Sequence, residues 1–262
     1  MSTKINQTTL AQLADVDLVV AVGSVDGVLT TAALLRAIVA DEKVEIVFTQ
    51  AFTVDKLPVA SWAGRHTVFI DLAVNNRSPE MTCTFVQAFM DGGNKLVAVI
   101  DEHNREDWRV VLGNFDGLVI EPQSQNAGDD APKSSGELFR CALAAAEVDV
   151  DRHTLELLVA ADAGDRMDFS SHFGGLVNKS VKSAIADDSR RVYLARHFAK
   201  NHQPDETIAG WMREYEEILK NHEEILKAAI DLGDGFVRVT TTGRKVDVTT
   251  LMAQLYKQGR IV

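Results

Sequence analysis

Residues 18–27 read Leu-Val-Val-Ala-Val-Gly-Ser-Val-Asp-Gly, an apolar run that passes directly into a glycine turn carrying a carboxylate. The same arrangement recurs where Thr67–Ile70 precedes Asp71 and where Leu96–Ile100 precedes Asp101. Short apolar runs that alternate with helical patterns are typical of buried parallel strands. Because ligands bind in the crevice outside the carboxyl ends of such strands, we expect these acidic residues to converge there.

The first half of the chain alternates strand-like and helix-like segments. Such a βαβ series predicts an α/β fold with a doubly wound, mainly parallel sheet and flanking helices, connected in the right-handed sense. The predicted strands are Leu18–Val22, Val44–Phe48, Val68–Ile70, Leu96–Ile100 and Leu118–Ile120.

The second half of the chain is mostly helical. Ser134 and Asp151 are predicted to cap two successive helices, and residues 204–229 form a long charged helix that connects to a small α+β unit. In that unit, Phe236–Thr240 is strand-like and Asp247 is predicted to cap the last helix. We therefore divide the chain into an α/β domain of residues 1–186 and a connector with a small C-terminal domain of residues 187–262.

Composition and charge narrow the classes of function. The formal net charge is −11, which argues against binding of duplex nucleic acid but leaves a small phosphorylated ligand open. No apolar run approaches the ~20 residues of a membrane span, and the N-terminus does not have the apolar segment of a secretory signal. Cys83 and Cys141 are isolated in apolar stretches and are predicted to be buried, reduced thiols, as expected of a cytoplasmic protein.

Carboxylates that converge at the end of a sheet repel one another unless a cation lies between them. The segment Asp101-Glu-His-Asn104 places three potential metal ligands in succession, with Asn104 able to orient them. The alternative is that Asp26, Asp71 and Asp101 each cap the helix that follows, which is a common role for aspartate after a strand. The turn Gly23–Gly27 has neither the lysine of a Walker loop nor the third glycine of a dinucleotide-binding loop.

The other histidines form no metal-binding motif. They are predicted to be solvent-exposed, and they are His66, His153, His172, His197, His202 and His222.

Taken together, the order of the motifs resembles that of the DHH phosphoesterase family. Residues 22–36 resemble the family's strand, His-x-Asp-x-Asp-Gly turn and small-residue helix, and Phe69–Leu72 resembles its second motif, a strand ending in aspartate. Val99–Asn104 resembles the segment with the namesake Asp-His-His. Ser134–Phe139 and Ala160–Gly164 resemble the serine-capped helix and the helix ending in Asp-Thr-Gly. The resemblance covers roughly residues 15 to 175.

The resemblance implies hydrolysis of phosphate esters with a divalent cofactor, but several ligand positions are altered. Val22 and Ser24 stand where the family has a histidine and an aspartate, and Glu102 replaces the first histidine of Asp-His-His. The family's glycine-rich substrate loop is not recognisable between Phe236 and Val262. We therefore expect one Mg²⁺ or Mn²⁺ ion, or none, instead of two. The resemblance implies that the remaining ligands are Asp26, Asp71, Glu102 and Asp162.

The resemblance also implies roles for neighbouring residues. His103, with Asp101, is expected to orient substrate or to protonate the leaving group. The residues expected to contact substrate are Ser24, Asn104, Arg244 and Lys245.

Three hypotheses remain open from the sequence. The first is a metal-dependent phosphoesterase with a reduced site, acting on a small phosphorylated molecule such as a nucleotide or a short oligonucleotide. The second is a catalytically inactive DHH-fold protein that binds a nucleotide or a protein partner. The third is an unrelated α/β domain whose acidic strand ends only cap helices. A homodimer is compatible with all three.

Overall fold

The computed structural model describes residues 7–39, 43–103, 105–113, 117–122 and 131–260. The chain divides into two compact units, which are considered separately. The first unit comprises Met1–Val177 with Asp188–Gln203, and the second comprises Asn178–Asp187 with Pro204–Val262.

The first unit contains a four-stranded parallel sheet. Its strands are β1 (Leu18–Val22), β2 (Glu45–Thr49), β3 (His66–Ile70) and β4 (Lys95–Ile100), in the order β2-β1-β3-β4. The predicted α/β fold with a parallel sheet is confirmed. The fifth predicted strand, Leu118–Ile120, is not a regular strand, although Val119 donates to the Val97 carbonyl and Ile120 accepts from the Val99 amide at the edge of β4.

Helices follow the strands along the chain. The helices that begin in the first unit are α1 (Gln7–Ala14), α2 (Val25–Ala37), α3 (Pro79–Asp91), α4 (Arg105–Leu112), α5 (Ser135–Ala145), α6 (Arg152–Asp165), α7 (His172–Lys182) and α8 (Asp188–Lys200). The second unit contains α9 (Glu206–Lys227), β5 (Ile230–Gly233), β6 (Phe236–Arg238) and α10 (Val248–Lys257). Among the described residues, no helix is both long enough and apolar enough to cross a membrane.

Side-chain caps begin several of these helices, as the sequence predicts. The Ser134 hydroxyl accepts from the Glu137 amide, the Asp151 carboxylate from the Thr154 amide, and the Asp247 carboxylate from the Thr250 amide. The cap of α2 excludes the alternative in which Asp26 only caps this helix. Ser24, not Asp26, accepts the hydrogen bond from the Gly27 amide at 2.8 Å, so the Asp26 carboxylate is available for other contacts.

An aromatic cluster packs one face of the sheet. The Phe69 ring on β3 lies 5.5–6.0 Å from the rings of Phe85, Phe89 and Trp108, measured between centroids. All four side chains are buried, and each contributes roughly 1.5–3 kcal/mol of hydrophobic stabilisation. This cluster holds α3 and α4 against the ends of β3 and β4, where the acidic residues begin.

Glycines allow the elements around Asp26 to approach closely. A Cβ at Gly27 would lie 2.1 Å from the Val22 carbonyl oxygen, and one at Gly136 would lie 2.7 Å from the Ala161 Cβ. A Cβ at Gly164 would lie 2.6 Å from a Val25 methyl group. Helices α2, α5 and α6 can therefore meet at the carboxyl edge of the sheet only because these positions have no side chain.

The second unit is a helix-packed hairpin. Strands β5 and β6 pair antiparallel, and Val237 packs with Ile225 of α9 and with Leu251 and Leu255 of α10. Sequence analysis predicted β6 and α10 but missed β5. The missed signal is the Asp234-Gly235 turn, in which both residues have positive φ, as two-residue hairpin turns require.

Two expectations about burial are wrong. His222 is fully buried in the second unit and accepts a hydrogen bond from the Asp247 amide through Nε2 at 3.0 Å. Cys141 is exposed and Cys83 is half-buried, and both are free thiols. In each case the phase of the helix, rather than the local composition, determines which side the residue faces.

We expect Gly27→Ala to lower the free energy of unfolding by roughly 2–4 kcal/mol, because the new methyl group would overlap the backbone of Val22. Gly210→Ala in α9 is the matched control. Its Cβ would meet only the end of Arg213 at 3.9 Å, so the gain in helix propensity should stabilise the protein by up to about 1 kcal/mol. Urea unfolding of both variants tests this, and equal effects of the two substitutions would contradict it.

Candidate metal centre

The acidic residues follow the carboxyl ends of three neighbouring strands and lie close together. Asp26 lies in the first turn of α2 after β1, Asp71 directly follows β3, and Asp101 directly follows β4. Asp71 adopts a left-handed backbone conformation with φ 56°, and its amide donates to the Ile100 carbonyl at 2.9 Å. That conformation is uncommon outside glycine and is tolerated best by aspartate and asparagine.

Two groups of potential ligand atoms result from this convergence. The first consists of Asp71, Asp101, Glu102 and His103, and the second of Asp26, Glu102 and Asp165. Within each group, one donor atom per residue lies within 4.8 Å of every other. Glu102 belongs to both groups, so it joins them into one acidic centre.

Asp26 connects this centre to helix α5. Its carboxylate accepts hydrogen bonds from the amides of Ser135 and Gly136 at 2.8 and 3.0 Å, and from the Thr30 hydroxyl at 2.9 Å. These donors favour the charged form, but almost complete burial is the larger effect and raises the pKa of Asp26 to about 6. Asp26 therefore anchors the start of α5 and still offers unused lone pairs to the centre.

Asp71 is buried next to other carboxylates. Burial raises its pKa well above the usual value, and the charges of Asp26 and Glu102 raise it further. The Ser24 hydroxyl donates to its Oδ2 at 2.5 Å and partly offsets these effects. Ser24 thus has two structural contacts, one with Asp71 and one with the Gly27 amide at the start of α2.

Glu102 is the residue that the two groups share. The Ser135 hydroxyl donates to its Oε2 at 2.9 Å. Burial raises its pKa to about 7, and the neighbouring Asp101 adds to that shift. At neutral pH this carboxyl group is therefore partly protonated, so a cation that binds it would compete with protons.

Asp101 positions His103. The Asp101 side chain is fully buried and accepts from the Trp108 indole N–H at 2.7 Å through Oδ2. Its Oδ1 lies 2.7 Å from Nδ1 of His103. This hydrogen bond is the main reason that the pKa of His103 rises to about 9. His103 is therefore protonated at neutral pH, while about half of its side chain remains exposed to solvent.

The structure does not bring Asp162 into either group. Its carboxylate forms two hydrogen bonds of 2.6 Å with the Arg166 guanidinium and accepts from the Ser134 hydroxyl at 2.9 Å. Asp165, less than one turn further along α6, lies with Asp26 and Glu102 instead. Sequence analysis missed Asp165, although the Asp162-Ala-Gly-Asp165 spacing contained both candidates.

The residues expected to contact substrate lie in different parts of the molecule. Ser24 is in the centre, whereas Asn104 falls outside the described residues. Arg244 and Lys245 belong to the second unit, before α10. There Arg244 forms an ion pair of 3.1 Å with Glu224, and the Lys245 carbonyl accepts from Asn221 at 3.0 Å.

The centre is chemically suited to a divalent cation. Oxygen atoms from Asp26, Asp71, Glu102 and Asp165 are the ligand type that Mg²⁺ prefers, and they also suit Mn²⁺. The burial that raises the pKa values of these carboxyl groups is a cost that a bound cation would relieve.

Comparison with known proteins gives relatives by structure only. No protein-family model and no curated protein matches the sequence. RecJ from Thermus thermophilus, solved in complex with Mn²⁺, matches 96% of this chain with a TM-score of 0.59 and 12% identity. The pGpG-specific phosphodiesterase PggH from Vibrio cholerae matches 84% of this chain and 66% of its own, with a TM-score of 0.48 and 15% identity.

The likeness to RecJ shows the fold. This chain spans 44% of the RecJ chain, so it is similar to less than half of that protein. The match nevertheless extends over 96% of the present chain. The resemblance drawn from the motifs is thus confirmed for the fold, which is that of the DHH phosphoesterases.

Proposed function

We propose that the chain is a metal-dependent phosphoesterase that hydrolyses a small phosphorylated molecule, such as a nucleotide or a short oligonucleotide. The observation that supports this most strongly is the acidic centre, in which Glu102, with a side chain only 10% exposed, joins two groups of potential ligand atoms at the carboxyl edge of the parallel sheet. Four carboxyl groups with raised pKa values are costly for folding, and such groups are concentrated at functional sites.

In this proposal one Mg²⁺ or Mn²⁺ ion is held by Asp71 and Glu102, with Asp26 and Asp165 completing the oxygen set. Val22 has no side-chain donor atom, and the Ser24 hydroxyl is already hydrogen-bonded to Asp71, which supports the proposal of one ion instead of two. A divalent cation bound here would polarise a phosphoryl oxygen and lower the pKa of a coordinated water.

His103 supplies the acid in the proposed reaction. Its Nδ1 is held by Asp101, and Asp101 is itself fixed by the Trp108 indole N–H, so the ring can present Nε2–H to an exposed ligand. A protonated imidazole can hydrogen-bond a phosphate oxygen and can transfer its proton to the oxygen of the leaving group. Arg244 and Lys245, exposed cations before α10, are proposed to contact phosphate groups.

The second candidate is an inactive DHH-fold protein that binds a nucleotide or a protein partner. The residues at 22, 24 and 102 favour it, since these are positions where the family has metal ligands. Metal binding without turnover of phosphomonoesters, phosphodiesters and pyrophosphate would support this candidate over the enzyme.

Calorimetric titration with Mn²⁺ and Mg²⁺ tests the ligand set. We expect Asp71→Asn and Asp165→Asn to weaken binding at least tenfold, because each removes a charged ligand. Asparagine retains the left-handed backbone at position 71. Asp162→Asn is the matched control and should leave the affinity unchanged. A loss with Asp162→Asn but not with Asp165→Asn would instead assign the metal to the residue expected from the motif.

The free energy of unfolding without divalent cations should fall as the pH rises from 5 to 8. Asp26 and Glu102 have raised pKa values of about 6 and 7, so the folded state holds protons that the unfolded state releases in this range. Glu102→Gln should therefore stabilise the metal-free protein by about 2 kcal/mol at pH 8 and hardly at all at pH 5. Saturating Mn²⁺ should stabilise the wild type and reverse the order.

The control for this measurement is Glu223→Gln, which replaces an exposed carboxylate on α9 and should change stability by less than about 0.5 kcal/mol. Equal effects of Glu102→Gln and Glu223→Gln at pH 8 would contradict the electrostatic account of the centre.

The role of His103 is tested by turnover of two phosphodiesters with different leaving groups. We expect His103→Asn to reduce kcat by roughly 10²–10⁴-fold for a dinucleotide, whose alkoxide leaving group needs a proton. The loss should be much smaller for bis(p-nitrophenyl) phosphate, whose leaving group is stable as an anion. His66→Asn, at the start of β3, should leave both rates unchanged, and equal losses on both substrates would assign His103 to positioning rather than acid catalysis.

A further inference from the structure

A cavity lies in the first unit, beside α6. It has a volume of about 480 Å³, which is within the usual range for small-molecule sites. Helix α6, the start of α7 and the turn after α8 form its walls. The lining side chains that a ligand would meet include Leu155, Glu156, Val159, Ser171, His172 and His202. We refer to it as the α6 cavity.

Three aromatic side chains form part of the wall of the α6 cavity. The imidazoles of His172 and His202 lie nearly parallel, with an interplanar angle of 12° and centroids 5.3 Å apart. The Phe173 ring meets both of them edge-on, at 5.2 and 5.0 Å. Leu155 and Val159 add aliphatic surface and are 40% and 60% exposed. The cavity thus combines stacking surfaces with apolar side chains that a ligand would cover.

Polar groups at the rim are held in fixed directions. Glu156 accepts from Nε of Arg152 and from Nε2 of His202, both at 2.7 Å, which leaves lone pairs on each carboxylate oxygen. The Ser171 hydroxyl accepts from the Gly174 amide at 3.1 Å, so its own proton can be donated. The rim therefore offers one charged acceptor and one hydroxyl donor next to the ring walls.

The α6 cavity is separate from the acidic centre. Val159 faces the cavity, whereas Asp165 faces the centre, and six residues of helix separate the two by about 9 Å along the axis and about 120° around it. A single nucleoside seated among the rings therefore does not reach the carboxylates of Asp26 and Glu102.

The histidines here do not form a metal site. Nε2 of His172 interacts with the His202 carbonyl at 3.1 Å, and Nε2 of His202 is bonded to Glu156. Across the part of the chain that the structure describes, the groups of converging ligand atoms include none of the cavity residues. The cavity chemistry therefore favours an organic ring over an ion.

We propose that the α6 cavity binds a planar heteroaromatic ring that carries an exocyclic amino group, as in adenine, guanine and cytosine nucleosides. The ring stacks in an offset arrangement on the imidazoles of His172 and His202 and covers Leu155 and Val159. Its amino group donates to the Glu156 carboxylate, and a ring nitrogen accepts from the Ser171 hydroxyl. This inference does not depend on the proposed phosphoesterase activity.

Nucleosides without a phosphate, in the presence of EDTA, test this inference without involving the acidic centre. We expect saturable binding of adenosine and cytidine by calorimetry and by saturation-transfer NMR, and at least tenfold weaker binding of purine riboside, which has the ring system of adenine without its amino group. Val159→Glu replaces an apolar side chain that the ring would cover with a charged one, whose burial under the ring is costly, and should weaken adenosine binding at least tenfold.

Val110→Glu is the matched control, since Val110 is 75% exposed on α4, and it should leave adenosine binding unchanged. Asp71→Asn should also leave it unchanged. Absence of saturable binding, or binding that Val159→Glu does not weaken, would overturn the inference. Binding that Asp71→Asn abolishes and Val159→Glu preserves would likewise overturn it, because the nucleoside would then occupy the acidic centre.

Discussion

The hydrogen bonds between Asp26 and the first amides of α5 are the contact on which the rest of the acidic centre depends. They join the turn after β1 to a helix that begins more than a hundred residues later. Ser135, whose amide binds Asp26, uses its hydroxyl to hold Glu102. The same helix start therefore orients two carboxylates from different strands, and a helix N-terminus is an environment that favours negative charge. Gly136 permits this approach, because a Cβ there would collide with Ala161.

Stability and binding compete in this centre. Burial of Asp26, Asp71 and Glu102 together makes their ionisation unfavourable, and the fold compensates only in part with hydroxyl and amide donors. His103 provides one positive charge, which Asp101 holds at the edge of the centre. A protein selected for stability alone would place neutral side chains at these positions. The clustering of these carboxylates at one edge of the sheet is an arrangement that a bound cation would stabilise.

Sequence analysis predicted the features that depend on local patterns. It was wrong where contacts between distant elements determine which side chain faces the acidic centre. The four strands, the caps Ser134, Asp151 and Asp247, and the acidic strand ends are set by short-range periodicity and capping chemistry. Asp162 was expected in the centre because of its place in the motif, whereas Asp165 lies with Asp26 and Glu102, which belong to other elements of the fold. Asp162 instead pairs with Arg166 on its own helix.

The contacts of Ser24 show how the turn after β1 is satisfied without a metal ion. An aspartate there would add another buried carboxylate beside Asp71, and that arrangement is stable only with a further cation to separate the two charges. Serine caps α2 through one lone pair and donates its proton to Asp71, so it satisfies both neighbours without a metal. Val22 then ends β1 with an apolar side chain. The side chain at position 22 therefore adds no ligand atom to the acidic centre. Asp26, Asp71, Glu102 and Asp165 belong to two groups of potential ligand atoms, and Glu102 connects these groups because it is a member of both.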